Sequence, residues 1–225
     1  VQPYFRAPHL FLGFPTRFLP DRSVENRTTR DNAGTTEPVF MSSRDGTIFR
    51  RWAEAIIPQT APKERMGNRS NYIALGILQL PGADREFSVY ASEAGYDFGP
   101  ARLGRFTYRI DGFVSLNAPK AGEIMTKPFR FEGKKLEINA RTSKDGSIRV
   151  ELCNQAGQPL PGFTAADSVP ISGDKIAGTV KWKGNPDLSA HAGMRVKLRE
   201  KLEPRRASGG AERGVGAAPQ VGRAS

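Results

Sequence analysis

Glu93 closes the run Glu86-Phe87-Ser88-Val89-Tyr90-Ala91-Ser92-Glu93, which alternates as a β-strand does, and it stands ahead of a Gly-rich loop near Tyr96 and Asp97. A carboxyl at a strand end can give or take a proton, which makes Glu93 the candidate catalytic acid; a solvated Glu opening a loop is the structural alternative. Asn68, Arg69 and Asn71 cluster just ahead of the apolar run 72–80. Two amides and a guanidinium are planar donors suited to sugar hydroxyls and carboxylates, and the same groups equally well tie down a long loop. Arg6 and His9 lead into an apolar run over 9–14 and Arg17 follows it, each with a place in a turn as its plainer role.

These groups need strands and turns to hold them. Val39, Phe40 and Met41 suit a strand, Asp45-Gly46 tolerates positive φ, and Ile48-Phe49 starts a return strand, so the chain reverses over 43–49. Ser43 and Asp45 can satisfy the turn's amides with their own oxygens, which lets Phe49 fold back under the loop. The run 9–14 is apolar on both faces and reads as a central strand. Residues 52–58 read as a strand or a short helical turn ended by Pro58, and 21–37 and 59–66 as loops. Residues 102–110 alternate again, and Asp111-Gly112 turns the chain into 113–116.

From about residue 118 the pattern becomes short strands at regular spacing: 124–131, 135–140, 146–153, 175–182 and 194–202, with turns at 132–133, 144–146 and 155–159. That spacing predicts an antiparallel sandwich, with Ile148, Val150 and Leu152 inward and Arg149 and Glu151 outward. Residues 201–225 are rich in Gly, Ala, Arg and Ser without apolar periodicity and read as a disordered tail.

Composition narrows the chemistry. Gly 24 and Pro 17, scattered through 225 residues, fit a turn-rich β protein, and 38% hydrophobic content is enough for packed cores. One cysteine, Cys153, excludes an internal disulfide framework, and two histidines leave little material for a zinc site; carboxylate-bound calcium stays open, although no Asp-x-Asp-x-Asp-Gly loop is present, and no metal or cofactor is assigned. The net charge of +11 invites a nucleic-acid reading. The basic residues are spread through every segment and no nucleic-acid-reading motif accompanies them, so a basic solvated surface is expected instead. No apolar run of about 18 residues suggests a membrane span. The absence of an initiator Met predicts a fragment or a processed product, and localisation stays unassigned.

Ser43-Arg44-Asp45-Gly46 with Phe49 resembles the Asp-box turn of sialidase-like and other glycosidase-like β-propellers, lacking the residue that usually separates Asp from Gly. The wider pattern is similar to bacterial glycosyl hydrolase-like proteins, whose expected form is a five-bladed β-propeller followed by a C-terminal β-sandwich. Its carriers are Pro3-Tyr4-Phe5-Arg6-Ala7-Pro8-His9, Gly13-Phe14-Pro15-Thr16-Arg17-Phe18, Met41-Ser42-Ser43-Arg44-Asp45-Gly46, Asn68-Arg69-Ser70-Asn71-Tyr72, Ser88-Val89-Tyr90-Ala91-Ser92-Glu93 and the stretch 103–113. It continues through Leu160-Pro161-Gly162-Phe163, Ser172-Gly173-Asp174, Val180-Lys181-Trp182-Lys183-Gly184 and Asp187-Leu188-Ser189, and so covers roughly positions 1 to 200.

The resemblance implies an all-β chain: partial propeller blades over 1–116, a β-sandwich over 117–202 and a disordered basic tail over 203–225. A five-bladed ring needs about 20 strands, more than 1–116 can supply, so only the last blades are expected here. After Val196-Lys197-Leu198-Arg199 the family would continue with one more apolar strand, and this chain departs from it, as a truncated or frame-shifted product would. The implied function is that of a fragment of a carbohydrate-active protein, a glycoside hydrolase acting on a polysaccharide or oligosaccharide, with Arg6, His9, Arg17, Asn68, Arg69 and Asn71 on the sugar and Glu93 as an acid. Such hydrolysis ordinarily needs two carboxyls, and candidates for one are visible. The alternative is a non-catalytic carbohydrate-binding or structural module, with Trp182 as a stacking platform or a core residue. The family would allow a secreted or periplasmic protein.

Overall fold

The computed structural model describes residues 1–22, 34–58, 71–93, 102–185, 187–203 and 216–218, and of Glu93 and 216–218 the backbone alone. Among the described residues the fold is all-β, built from several antiparallel sheets, none closed into a barrel. It divides into two compact units, Val1–Phe113 and Val114–Ser225.

The first unit holds β1 (Gln2–Tyr4), β2 (Ala7–Gly13), β3 (Thr16–Leu19), β4 (Thr35–Ser43), β5 (Arg50–Ala55), β6 (Asn71–Ile73), β7 (Glu86–Glu93) and β8 (Arg102–Arg109). The order β1-β2-β4-β3, with β5 also on β4, makes β4 the central strand, and the short β6 joins the β7–β8 hairpin as a second sheet. Two-sided burial explains the composition of β4, where Val39 and Phe40 are both buried although they face opposite ways. The core is aromatic. Phe113 stacks on Phe87 and Phe40 at centroid distances of 4.6 and 5.2 Å and meets Tyr4 edge-on at 5.0 Å, while Phe40 also packs on Phe14 and Trp52. Such contacts add to the burial of the rings themselves.

The hairpin expected at 43–49 is present, with a longer first strand and a later return. β4 runs to Ser43 and the return strand starts at Arg50 rather than Ile48, in register Ser42 to Arg50 and Met41 to Arg51. Ser43 Oγ accepts from the amides of Asp45 and Gly46, and Asp45 Oδ1 accepts from those of Thr47 and Ile48 at 2.9 and 2.8 Å. Those two amides, then the Ser43 hydroxyl, hold the Asp45 carboxyl well below the usual carboxylate range. Gly46 has φ of 77°, where a side chain would be strained. The ring beneath this loop is Phe11 of β2, in van der Waals range of Gly46, while Phe49 is half-buried. Residues 52–55 lie within β5, the strand alternative of the two open for 52–58.

The second unit holds β9 (Leu116–Asn117), β10 (Gly122–Met125), β11 (Glu137–Arg141), β12 (Ser147–Cys153), β13 (Asp174–Thr179), β14 (Lys197–Glu203) and β15 (Gly216–Ala218). Sheets β10-β14-β12 and β13-β11-β15-β9 feed one apolar cluster that includes Ile138, Ile148, Val150, Leu152, Val180, Trp182 and Leu198. Each strand is shorter than its sequence segment, because Phe129, Trp182 and Val196 make only isolated bridges. Ile148, Val150 and Leu152 face the core as expected. Glu151 faces the other way yet is only 3% exposed, because charged neighbours cover it. Of the tail read as disordered, residues 201–203 belong to β14, paired with β12, and Gly216–Ala218 pairs with β9 and β11 as a strand, backbone bonding that needs no side-chain pattern; residues 204–215 and 219–225 lie outside the described set.

Candidate functional site

The structure separates the sequence-predicted residues into two groups. Arg6 sits in the turn after β1 and reaches Asp111, its Nε donating to both carboxylate oxygens at 3.1 and 3.2 Å. Tyr4 donates its phenol to the same carboxylate at 2.6 Å. Burial, then the hydrogen bond to Asp111 and the charge it carries, push the Tyr4 phenol well above its ordinary range. A phenol held protonated in a buried bond is a structural tie. Asp111 itself adopts φ of 60° in the turn after β8, and through Tyr4 and Arg6 the second Asp-Gly reversal anchors β1 and the turn after it. His9 is exposed on β2.

The second group lies at the far end of the β7–β8 hairpin. Glu86 pairs with Arg109 at one end of the ladder and Glu93 with Arg102 at the other. Seven residues of strand span about 23 Å, so Arg6, beside Asp111, does not meet Glu93. Asn71 does: it is directly opposite Glu93 across β6 and β7, which sets Asn71, Glu93 and Arg102 in one row across three strands. In that register Asn71 shares its sheet face with Phe87, Val89 and Ala91 and is fully buried.

β6 also packs against β3 and β4, which brings in Arg17. Arg17 stands directly opposite Glu37 in the β3–β4 ladder, and its Nη2 donates to Glu37 Oε1. Arg22 Nη1 adds a bond to Oε2 at 3.3 Å. The Glu37 side chain is 4% exposed, a carboxylate clamped by two guanidiniums. Sequence reasoning missed Glu37 and Arg22 because it placed both in a surface loop over 21–37. The pairing of a β-rich Thr-Thr-Glu-Pro-Val-Phe run with Thr16-Arg17-Phe18-Leu19 was the sign that could have found them. Asn68, Arg69 and the Glu93 side chain lie outside the described residues.

A second ionic cluster occupies the outer face of β12 and β14. Glu151 Oε1 accepts from the Ala165 amide at 3.0 Å and from Lys201 Nζ at 3.2 Å, and Oε2 from Arg199 Nη1 at 2.7 Å. Arg199 also donates to the Gly157 carbonyl at 2.9 Å and lies 3.1 Å from Glu123. Burial works to raise the Glu151 carboxyl, but the bonds from Arg199, Ala165 and Lys201 outweigh it and hold the carboxyl below its usual range. These bonds staple the loop around 157–165 to the sheet. Trp182 is a core residue, 3% exposed with Nε1 donating to the Val150 carbonyl at 2.8 Å, so it offers no ring face to a sugar. On β5, Arg50 lies over the half-buried Trp52 ring at 5.4 Å.

No group of three or more His, Cys, Asp or Glu side chains among the described residues is placed to hold a metal ion. Comparison of the chain with protein-family models, with curated proteins and with solved structures finds no match in any of the three.

Proposed function

We propose that this chain is part of a carbohydrate-active β protein and that the Arg17, Glu37, Asn71 and Arg102 end of the first unit contacts the sugar. The observation that carries this reading is two rows of polar residues on strands that pack together: Arg17 opposite Glu37 on β3 and β4, and Asn71, Glu93 and Arg102 in register on β6, β7 and β8, with β6 against β3 and β4. Bidentate guanidinium and amide groups fixed on strands suit the dense hydroxyls of a sugar. The Ser43–Asp45 turn supports a propeller-like first unit, and two sheets around one apolar cluster support a sandwich-like second unit.

Binding is favoured over hydrolysis among the described groups. Glu37 has both oxygens engaged by arginines, whereas an acid or base of hydrolysis must exchange protons with the substrate. In the hydrolytic version Glu93 supplies the acid, and Glu93→Gln abolishes product release without weakening binding. Calorimetric titration of the full chain with neutral and acidic oligosaccharides tests the reading. Arg102→Ala, an exposed site, should weaken the best ligand by about tenfold, as expected for a charge-assisted bond, and Lys175→Ala on β13 should leave it unchanged. No binding across the panel would overturn the proposal.

A further inference from the structure

Two buried polar atoms beside Glu37 have no hydrogen-bond partner: Nε of Arg17 and Oγ1 of Thr35. Thr35 is 2% exposed. It lies two residues before Glu37 on β4, with Leu19 opposite it and Arg17 opposite Glu37, so Thr35, Glu37 and Arg17 project from one face of the β3–β4 pair. Diagonal neighbours of such a ladder stand about 7–8 Å apart, close enough for both side chains to reach one bound group. Folded proteins seldom leave buried donors unpaired unless a ligand, ion or water completes them.

The chemistry of this gap is biased. Glu37 offsets one of its two arginines, which leaves a surplus positive charge. Both orphan atoms can donate. Two donors beside a net cation favour an acceptor that itself carries negative charge. We propose that Arg17 and Thr35 bind the carboxylate of an acidic sugar. The assignment rests on the carbohydrate reading of the same end of the unit and narrows its substrate class.

The full chain is titrated with glucuronate, glucose and inorganic phosphate while the arginine Nε–H signals are followed by NMR. Glucuronate should move the Arg17 signal and glucose should not. Thr35→Val should weaken glucuronate by about fivefold while the Tm of the ligand-free protein holds or rises, because valine keeps the shape and buries no orphan hydroxyl. A lowered Tm with unchanged glucuronate affinity would mean that the hydroxyl is structural, and would overturn the assignment. So would phosphate moving the signal as strongly as glucuronate, which would make the gap a site for any small anion. Neutral oligosaccharides binding near Arg102 with no glucuronate response at Arg17 would overturn this inference and leave the proposed function standing, whereas failure of every sugar would remove both.

Discussion

Glu37 in the first unit and Glu151 in the second are built alike. Each is a glutamate about 3% exposed, directly opposite an arginine in an antiparallel ladder, with a second cation on its other side. Their surroundings differ. Around Glu151 a backbone amide, a carbonyl and a further carboxylate join the shell, and although Arg199 Nε, like Arg17 Nε, makes no hydrogen bond, it lies 3.1 Å from the Glu123 carboxylate. Around Glu37 the corresponding Nε of Arg17 and the Thr35 hydroxyl stay unpaired. A closed ionic shell holds a loop in place, and an open one leaves donors for something that is not the chain itself. This contrast, rather than the number of charges, is why the first cluster is read as a site and the second as a staple.

The largest effect expected from breaking this comparison is at the closed cluster. Glu151→Ala should cost roughly 3–5 kcal/mol in denaturant unfolding of the second unit, since the Ala165 amide, Arg199 and Lys201 all lose their shared acceptor and Arg199 keeps only Glu123 and the Gly157 carbonyl. A loss under about 1 kcal/mol would put Glu151 on an ordinary solvated surface.

The next prediction uses a third glutamate as a contrast to both. Glu200 lies on the inner face of β14, with Ile124 opposite it on β10 and Val150 on β12, and burial pushes its carboxyl up to about 7. A folded-state value above the unfolded one means that the folded unit prefers the protonated acid. The Glu200 contribution to stability is therefore full below about pH 4.5, falls as pH rises from there through about 7, and levels off lower by about 3 kcal/mol. Glu200→Gln should flatten that profile between pH 5 and 8. An unchanged slope would mean that Glu200 is not the group responsible. Smaller still, Ser43→Ala removes the acceptor for two turn amides and should cost about 1 kcal/mol by thermal melting, with no effect on the second unit.

The all-β architecture was legible because alternation and Asp-Gly or Gly-rich turns are local properties. Ile148, Val150 and Leu152 could be assigned inward from their spacing alone, and the 43–49 reversal from Ser43, Asp45 and Gly46. What stayed hidden is long-range pairing. Nothing in the sequence says that Asp111 anchors Tyr4 and Arg6 from more than a hundred residues away, so Arg6 was grouped with Glu93 when the β7–β8 ladder holds them apart. Register makes Asn71 and Glu93 direct neighbours across β6 and β7. Glu37 was lost for the opposite reason: a polar run flanked by Asp, Arg and Asn reads as a loop until Arg17 is seen across from it. Buried charge is readable only in pairs.

The most direct measurement is an amide and side-chain NMR footprint of the full chain titrated with an acidic oligosaccharide. The shifts should gather at Arg17, Thr35, Asn71 and Arg102 and leave Arg199 and Lys201 where they were. Shifts confined to the Glu151 cluster, or absent from both clusters, would contradict the claim that the open shell is the binding site.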